Sequence, residues 1–437
     1  MKKLFLLIIV LVCSSSLLRA QFTISGEFRP RAEYRNGYLQ LGDSTMHGYG
    51  DILGRSRISF DYTQDKISTR ISLQHAFMYG ENNYSSDTIT KNTINIFEGW
   101  FRYAFTKNTG VKIGRMAISY DDQRLFGYSN WKQWGATHDL LMIQTAAPGI
   151  NYKADFGFAV NNPSSSAAYL TNYMLKNYKY MSYLWQQKKF FNDALSISVT
   201  AILDVNQKPS VTSDKITLQT LYVINAGDTI GTTILRTTSK VTETFPNTVY
   251  GRGTIGFYAI YNWKKLGVTA SAYYQGGHYK DGRKISAYLL SATAGFQVLK
   301  PLKLMVGYDY LSGNDVSDTS TLKKTLKGFS TLWGTNHSFY GYMDPFTSYL
   351  GKDALQYGLQ MAYARGTWNF SQKTSAELTY RMYSMPFGYL PTAKAPAYKT
   401  ADKNLGSELD LMFVYKPLNN LELNAAYCYY FKSETRE

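Results

Sequence analysis

Two adjacent carboxylates, Asp121 and Asp122, stand just ahead of Arg124 in the run Tyr120-Asp121-Asp122-Gln123-Arg124-Leu125-Phe126-Gly127. Three kinds of chemistry suit such a group: the acid and base of an enzyme, a cation site, or one half of a charged constriction. A catalytic carboxylate pair needs its two pKa values pushed apart by different surroundings. Neighbours on an extended chain point in opposite directions, which makes Asp121 and Asp122 poor catalytic partners. The expectation is a loop, folded inward, whose charges are satisfied by arginines of a surrounding wall. A hard cation such as Ca²⁺ would find suitable oxygen ligands there, but the sequence calls for no cofactor.

The other groups with chemical potential are sparse. None of His47, His75, His138, His278 and His337 has a second histidine at metal-ligand spacing. His337, within Asn336-His337, could reach a carboxylate or pin a loop. A serine hydrolase carried on a barrel stays open as an alternative, and so does an adhesive or structural barrel without transport, but no signature singles out a serine. The cysteines are Cys13 and Cys428, so loss of the leading segment leaves Cys428 alone, with no intramolecular disulfide and no cysteine metal cluster.

Arginines are the most abundant candidates, and their positions follow a pattern. In the first segment Phe22, Ile24, Gly26, Phe28, Pro30, Ala32 and Tyr34 alternate with Thr23, Ser25, Glu27, Arg29, Arg31, Glu33 and Arg35. Ser56, Ile58, Phe60 and Tyr62 alternate with Arg55, Arg57, Ser59, Asp61 and Thr63 in the same way. Period two is the signature of a strand with one apolar and one wet face. Arg29, Arg31, Arg35, Arg55, Arg57, Arg70, Arg252 and Arg381 all take the polar parity. A guanidinium keeps its charge and forks onto carboxylates, and rings of Arg or Lys in a pore favour anions. Glu27, Glu33, Asp61, Glu377, Glu408 and Asp410 share that parity, so the same arginines could instead close charge ladders between strands. Arg115, Asp121, Asp122 and Arg124 complete the set of candidate path residues.

The elements that must position these side chains are strands. Alternation predicts them at 22–38, 54–63, 67–79, 94–105, 111–121, 137–146, 150–161, 178–190, 194–206, 247–261, 267–278, 284–298, 302–313, 355–368, 373–385, 405–416 and 420–432. Tight links such as Gln64-Asp65-Lys66 and Ala147-Pro148-Gly149 alternate with long polar links such as 206–246, 314–354 and 386–404, as the short periplasmic turns and long outer loops of an outer-membrane barrel do. Composition agrees: 38 Tyr and 23 Phe accompany a mean hydropathy of −0.28, which fits aromatic girdles around a polar interior and excludes a helical membrane protein. Lys2 and Lys3, the apolar run Leu4 to Val12, and Leu18-Arg19-Ala20 form a secretory signal cleaved near Ala20. Residues 1–20 are thus expected to leave, and 21–437 to form one barrel. The formal charge of +16 becomes +13 without Lys2, Lys3 and Arg19. Export makes nucleic acid a poor partner for that excess.

Four stretches resemble the alginate-export-like outer-membrane barrels of Bacteroidetes type. They are Gly26-Glu27-Phe28-Arg29-Pro30-Arg31; Gly114-Arg115 with Tyr120 to Gly127; Gly334-Thr335-Asn336-His337 through Gly341-Tyr342-Met343-Asp344; and Leu405-Gly406-Ser407-Glu408-Leu409-Asp410. The resemblance implies a monomeric eighteen-stranded barrel with a basic lumen, used for export or diffusion of an acidic polysaccharide or small solutes.

The expectation is therefore an all-β, transmembrane antiparallel barrel in the outer membrane. It would pass anionic small solutes or polysaccharide, meet lipid outside, and carry no enzymatic activity. Strand seventeen would run outward, as strand one does, and the tail Lys432 to Glu437 lacks a terminal aromatic. Antiparallel closure takes an even number, so a final returning strand is expected beyond this sequence.

Overall fold

The computed structural model describes residues 21–36, 48–79, 94–161, 177–225, 228–243, 247–315, 318–343, 357–387 and 403–433. Residues 1–20, expected to be an export signal, lie outside them, as do His47 and residues 434–437. The strands are β1 (Gln21–Arg35), β2 (Tyr49–Gln64), β3 (Ile67–Met78), β4 (Asn95–Ala104), β5 (Thr109–Met116), β6 (His138–Ala147), β7 (Tyr152–Val160), β8 (Tyr180–Phe190), β9 (Leu195–Gln207) and β10 (Val211–Asn225). They continue as β11 (Asp228–Glu243), β12 (Val249–Trp263), β13 (Leu266–His278), β14 (Lys284–Gln297), β15 (Leu302–Leu311), β16 (Thr325–Leu326), β17 (Leu359–Asn369), β18 (Thr374–Ser384), β19 (Asn404–Leu418) and β20 (Leu421–Phe431).

One sheet of 18 strands contains all but β10 and β11; setting aside the two-residue β16 leaves 17 that cross it. Each pairs antiparallel with the next, β9 passing directly to β12 and β15 to β17. No helix among the described residues is long and apolar enough to cross a membrane. The outward side chains of the strands are apolar and exposed, as in Ile255 and Phe257, Leu304 and Val306, Leu411 and Phe413. That surface suits hydrocarbon. Phe105, Phe191, Trp263 and Phe370 cluster at the short turns, where aromatic rings settle at a headgroup boundary. Those turns are tight because Asp65 and Lys264 adopt left-handed φ of 50° and 52°, as two-residue hairpins demand.

Two expectations need correction. The strand predicted at 111–121 ends at Met116; Ile118 and Tyr120 continue the alternation, but Asp121 and Gln123 take φ of 53° and 67° and the chain leaves the wall. The polar link 206–246 is itself a hairpin, β10 with β11, in a separate two-stranded sheet. It prolongs the β9–β12 pair past the rim, from Gln207 opposite Val249 to Val211 opposite Glu243.

Strands β1 and β20 stand at the two ends of the ladder, and among the described residues no pairing joins them. With 17 strands alternating in direction, these two run the same way.

The lipid-facing parity has a direct test. Val306→Arg, at the middle of β15, is expected to destabilise folding into vesicles by about 2–4 kcal/mol. Thr293→Arg, on the opposite face of β14, is expected to cost less than half as much. Equal losses in urea titrations would invert the assignment.

Candidate functional site

The polar parity of the strands defines the inner wall, and two chain segments fold against it. One is residues 117–137, between β5 and β6; the other is residues 327–343, between β16 and β17. They meet at Phe126 and Trp333, which form an isolated bridge and stack at 5.2 Å. Amides and carbonyls join them on either side: the Gly127 amide donates to Trp333, the Trp333 amide to Leu125, and the Thr335 amide to Gln123. The approach is close enough to require glycine at the contact. A Cβ on Gly334 would lie 2.2 Å from the Arg124 carbonyl oxygen.

Arg124 is the pin of this assembly. Its Nη1 donates to Asp309 Oδ2 at 2.6 Å and its Nη2 to Asp309 Oδ1 at 2.9 Å. Nη2 also donates to Ser291 at 2.8 Å, Nε to Asp122 at 2.8 Å, and the guanidinium lies 4.1 Å above the Phe339 ring. The Arg124 and Asp309 side chains are 3% and 0% exposed. Burial alone would lower the guanidinium pKa, but Asp309, Tyr340 and Asp122 hold it well above its usual value. The charge is therefore permanent, and it ties the loop to β14 and β15.

Asp121 points the other way, turned by its left-handed φ. Its Oδ1 accepts from Ser198 at 2.6 Å and from Trp185 Nε1 at 3.0 Å, which fixes the loop to β9 and β8. Tyr120 donates to Asp155 on β7 at 2.8 Å. The anticipated inward loop is present, but its carboxylates are not held by wall arginines: Asp121 takes neutral donors, and Asp122 takes the loop's own Arg124. Burial pushes both carboxyls above the usual range, partly offset by Ser198 and Trp185 for one and by Arg124 for the other. Facing different partners, the two do not form a shared chelate.

The wall arginines have other work. Arg29 donates to the Asn130 carbonyl at 2.6 Å, the Lys132 carbonyl at 3.1 Å and Gln133 Oε1 at 2.7 Å. Arg31 donates to the Trp131 carbonyl at 2.7 Å and lies over the Trp131 ring. Arg55, 1% exposed, pairs with Glu27 and reaches the carbonyls of residues 132 and 133 at 3.4 Å. Guanidiniums of β1 and β2 thus cap a run of loop carbonyls that would otherwise lack donors. His337 stacks on Trp131 at 3.7 Å, locking the second segment to the same point.

The remaining candidates divide. Arg35 pairs with Glu33 and with Asp51 at 3.2 Å; Arg70 forks onto Asp61 at 2.7 and 3.1 Å and reaches Glu98; Arg252 forks onto Asp204, both bonds 2.9 Å; Arg381 pairs with Asp410. These close ladders along the wall. Arg57 bonds Gln74 and covers the Phe97 ring at 3.5 Å. Arg115 does not belong with them. It shares the outward parity of exposed Ile113, beside inward Met116, and pairs with Asp139 at 2.8 Å on the barrel's exterior. The motif argument missed Asp309, Ser291 and Tyr340, all partners of Arg124; of these, the parity of Asp309 was the one signal available. The four described histidines each pack on an aromatic ring, Phe77, Tyr178, Tyr250 or Trp131.

No family model matches the chain, and no curated protein matches it. Solved structures do. OccAB4 of Acinetobacter baumannii superposes with a TM-score of 0.56 at 10% identity, over 95% of this chain and 93% of that one. A BenF-like porin of Pseudomonas fluorescens Pf-5 gives 0.56 at 12% identity over 95% and 94%. OpdK of Pseudomonas aeruginosa, solved with vanillate, gives 0.55 at 9% over 95% and 94%. This chain has the fold of an outer-membrane porin.

Three substitutions test the loop anchors. Asp309→Ala strands a buried guanidinium and is expected to destabilise by about 3–5 kcal/mol, and Gly334→Ala to raise single-channel conductance by separating the segments. If Gly334→Ala leaves conductance unchanged, the segments are not the constriction. For Asp121 the raised carboxyl favours the protonated folded state. Its contribution is therefore fullest below about pH 3.9, the ordinary Asp value, and is lost as pH rises through the folded value. Asp121→Asn keeps the acceptor oxygen without the charge, so the fall in Tm with rising pH should become shallower; a steeper fall would contradict the burial argument.

Proposed function

We propose that the protein is an outer-membrane diffusion channel that favours anionic solutes. The observation carrying this reading is the charge on the inner face of β1 and β2. Arg29, Arg31, Arg35, Arg55 and Arg57 stand there against Glu27, Glu33 and Asp51, while Asp61 is taken by Arg70. Arg29 and Arg57 have only neutral acceptors among their hydrogen-bond partners. A carbonyl satisfies a guanidinium's donors without cancelling its charge, so the field of this wall persists in the lumen. A pore with such a rim attracts anions and repels cations.

Size narrows the class. The two inward segments are tied to β1–β3 on one side and to β8, β9, β14 and β15 on the other, which suits small solutes better than a bulky polymer. An acidic polysaccharide, as the alginate-export resemblance implies, would have to displace them. The same reading makes residues 1–20 a cleaved export signal, the outer membrane the location, the barrel a monomer, and the activity passive passage rather than catalysis.

Liposome swelling tests the reading. Gluconate is expected to enter faster than a neutral sugar of similar size, and Arg29→Gln with Arg57→Gln to bring the two rates together. The outward pair Ile58→Ala and Phe60→Ala should alter insertion without changing the ratio. A ratio insensitive to the arginine pair would remove the support for anion preference.

A further inference from the structure

Among the described residues, eight short turns join strands at one end of the barrel. Five of them, residues 65–66, 105–108, 264–265, 298–301 and 370–373, carry exposed lysines. These are Lys66, Lys107, Lys264, Lys265, Lys300 and Lys373. Against these six, the eight turns hold two acids, Asp65 and Asp193, and Asp193 is taken by Lys189 at 3.2 Å. None of the six forms an ion pair among the described residues. Lys373 donates to the Pro417 carbonyl at 2.9 Å, which satisfies a donor and leaves the charge. Lys416, at the foot of β19, differs: Glu422 pairs with it at 2.7 Å.

Ring contacts place two ammonium groups on the lipid side. Trp263 shares the outward parity of exposed Phe257 and Tyr261, and Lys264 Nζ lies 4.9 Å from the centroid of its ring. Lys188 on β8 shares the outward parity of exposed Leu184; its Nζ lies 5.4 Å from the Phe190 ring, and it too has no ion pair among the described residues. Exposed apolar side chains stand just before three others: Phe105 before Lys107, Leu299 before Lys300, and Phe370 before Lys373. Aromatic rings settle at the headgroup boundary, and a lysine stem lies along apolar surface while its ammonium stays in the polar layer. The cations therefore stand at the level of lipid phosphates. Lys264 and Lys265, adjacent in a two-residue turn, repel each other and take their counter-charge from outside the chain. A zwitterionic headgroup cancels its phosphate with its own amine. A phospholipid of net negative charge supplies what these turns lack.

We propose that these seven lysines form a girdle that binds anionic phospholipid headgroups of the leaflet at the short-turn end. The girdle rests on the barrel fold and on no reading of what passes through it.

Spin-labelled lipids test the girdle. The barrel is reconstituted in phosphatidylcholine vesicles with a trace of chain-labelled phosphatidylglycerol or phosphatidylcholine, and the motionally restricted fraction gives each lipid's relative affinity for its surface. At low salt phosphatidylglycerol is expected to be favoured about fivefold, the effect of one basic residue near a headgroup. In concentrated salt the preference should vanish, as screening shortens to about 3 Å at 1 M. Replacing all seven lysines by glutamine should bring the two lipids level, with the heat-dependent shift in gel mobility showing that the barrel still folds. Lys153→Gln with Lys303→Gln removes charge from the inner face at the same end, on the parity of Asp155 and Asp309, and should leave the preference intact. Equal affinity for the two lipids in the unmodified barrel would overturn the proposal and point to an acidic protein as the partner. An equal fall with the inner pair would also overturn it, because net charge alone would then explain the preference.

Discussion

Hydrocarbon offers no hydrogen bonds, and the rest of the molecule follows from that constraint. Every backbone amide and carbonyl within the bilayer must find its partner in the sheet. Side chains of a strand then have only two directions available, lipid and lumen, and residue type must alternate with them. Thus Phe28 and Val306 are exposed to the outside while Arg55, Asp309 and Arg381 are buried on the other face. The same constraint explains why the unpaired sides of β1 and β20 matter: they are the places on the described ladder where the condition is not met by a neighbouring strand.

A wall rich in permanent charge then shapes what fills the interior. Arg124 reaches from an inward loop to Asp309, 185 residues away in sequence, and Arg29, Arg31 and Arg55 reach from the wall to the carbonyls of residues 130–133. The two kinds of contact differ in consequence. A buried arginine on a carboxylate neutralises and anchors, and breaking it strands a charge. An arginine on a carbonyl anchors without neutralising. Arg31 and Arg55 also pair with Glu33 and Glu27, so on the reading proposed above it is Arg29, bonded to neutral acceptors, that would hold the loop in place and leave its charge to the lumen.

Alternation made the membrane strands legible, because a strand between lipid and water cannot hide its period. It failed where that environment ends. Ile118 and Tyr120 keep the rhythm of β5 but are anchored inside the barrel, and only the left-handed φ at Asp121 breaks it. The β10–β11 hairpin lies past the rim, where no lipid imposes an apolar face, and its threonine-rich run reads as a polar link. Arg115 could have been placed correctly from Ile113, two residues before it; the motif around it outweighed its parity. The pairing of Arg124 with Asp309 and the capping of loop carbonyls were not legible, since carbonyl acceptors have no residue signature and the contacts join distant strands. The lesson is that parity reads the wall, while the contents of the lumen depend on non-local geometry.

The account stands on the claim that arginines bonded to carbonyls still set the potential of the lumen. The most direct measurement is the zero-current potential of the barrel in a planar bilayer under a potassium chloride gradient. A chloride-to-potassium permeability ratio above one, falling toward one as salt screens the wall, is the predicted result. A ratio at or below one at low salt would contradict it.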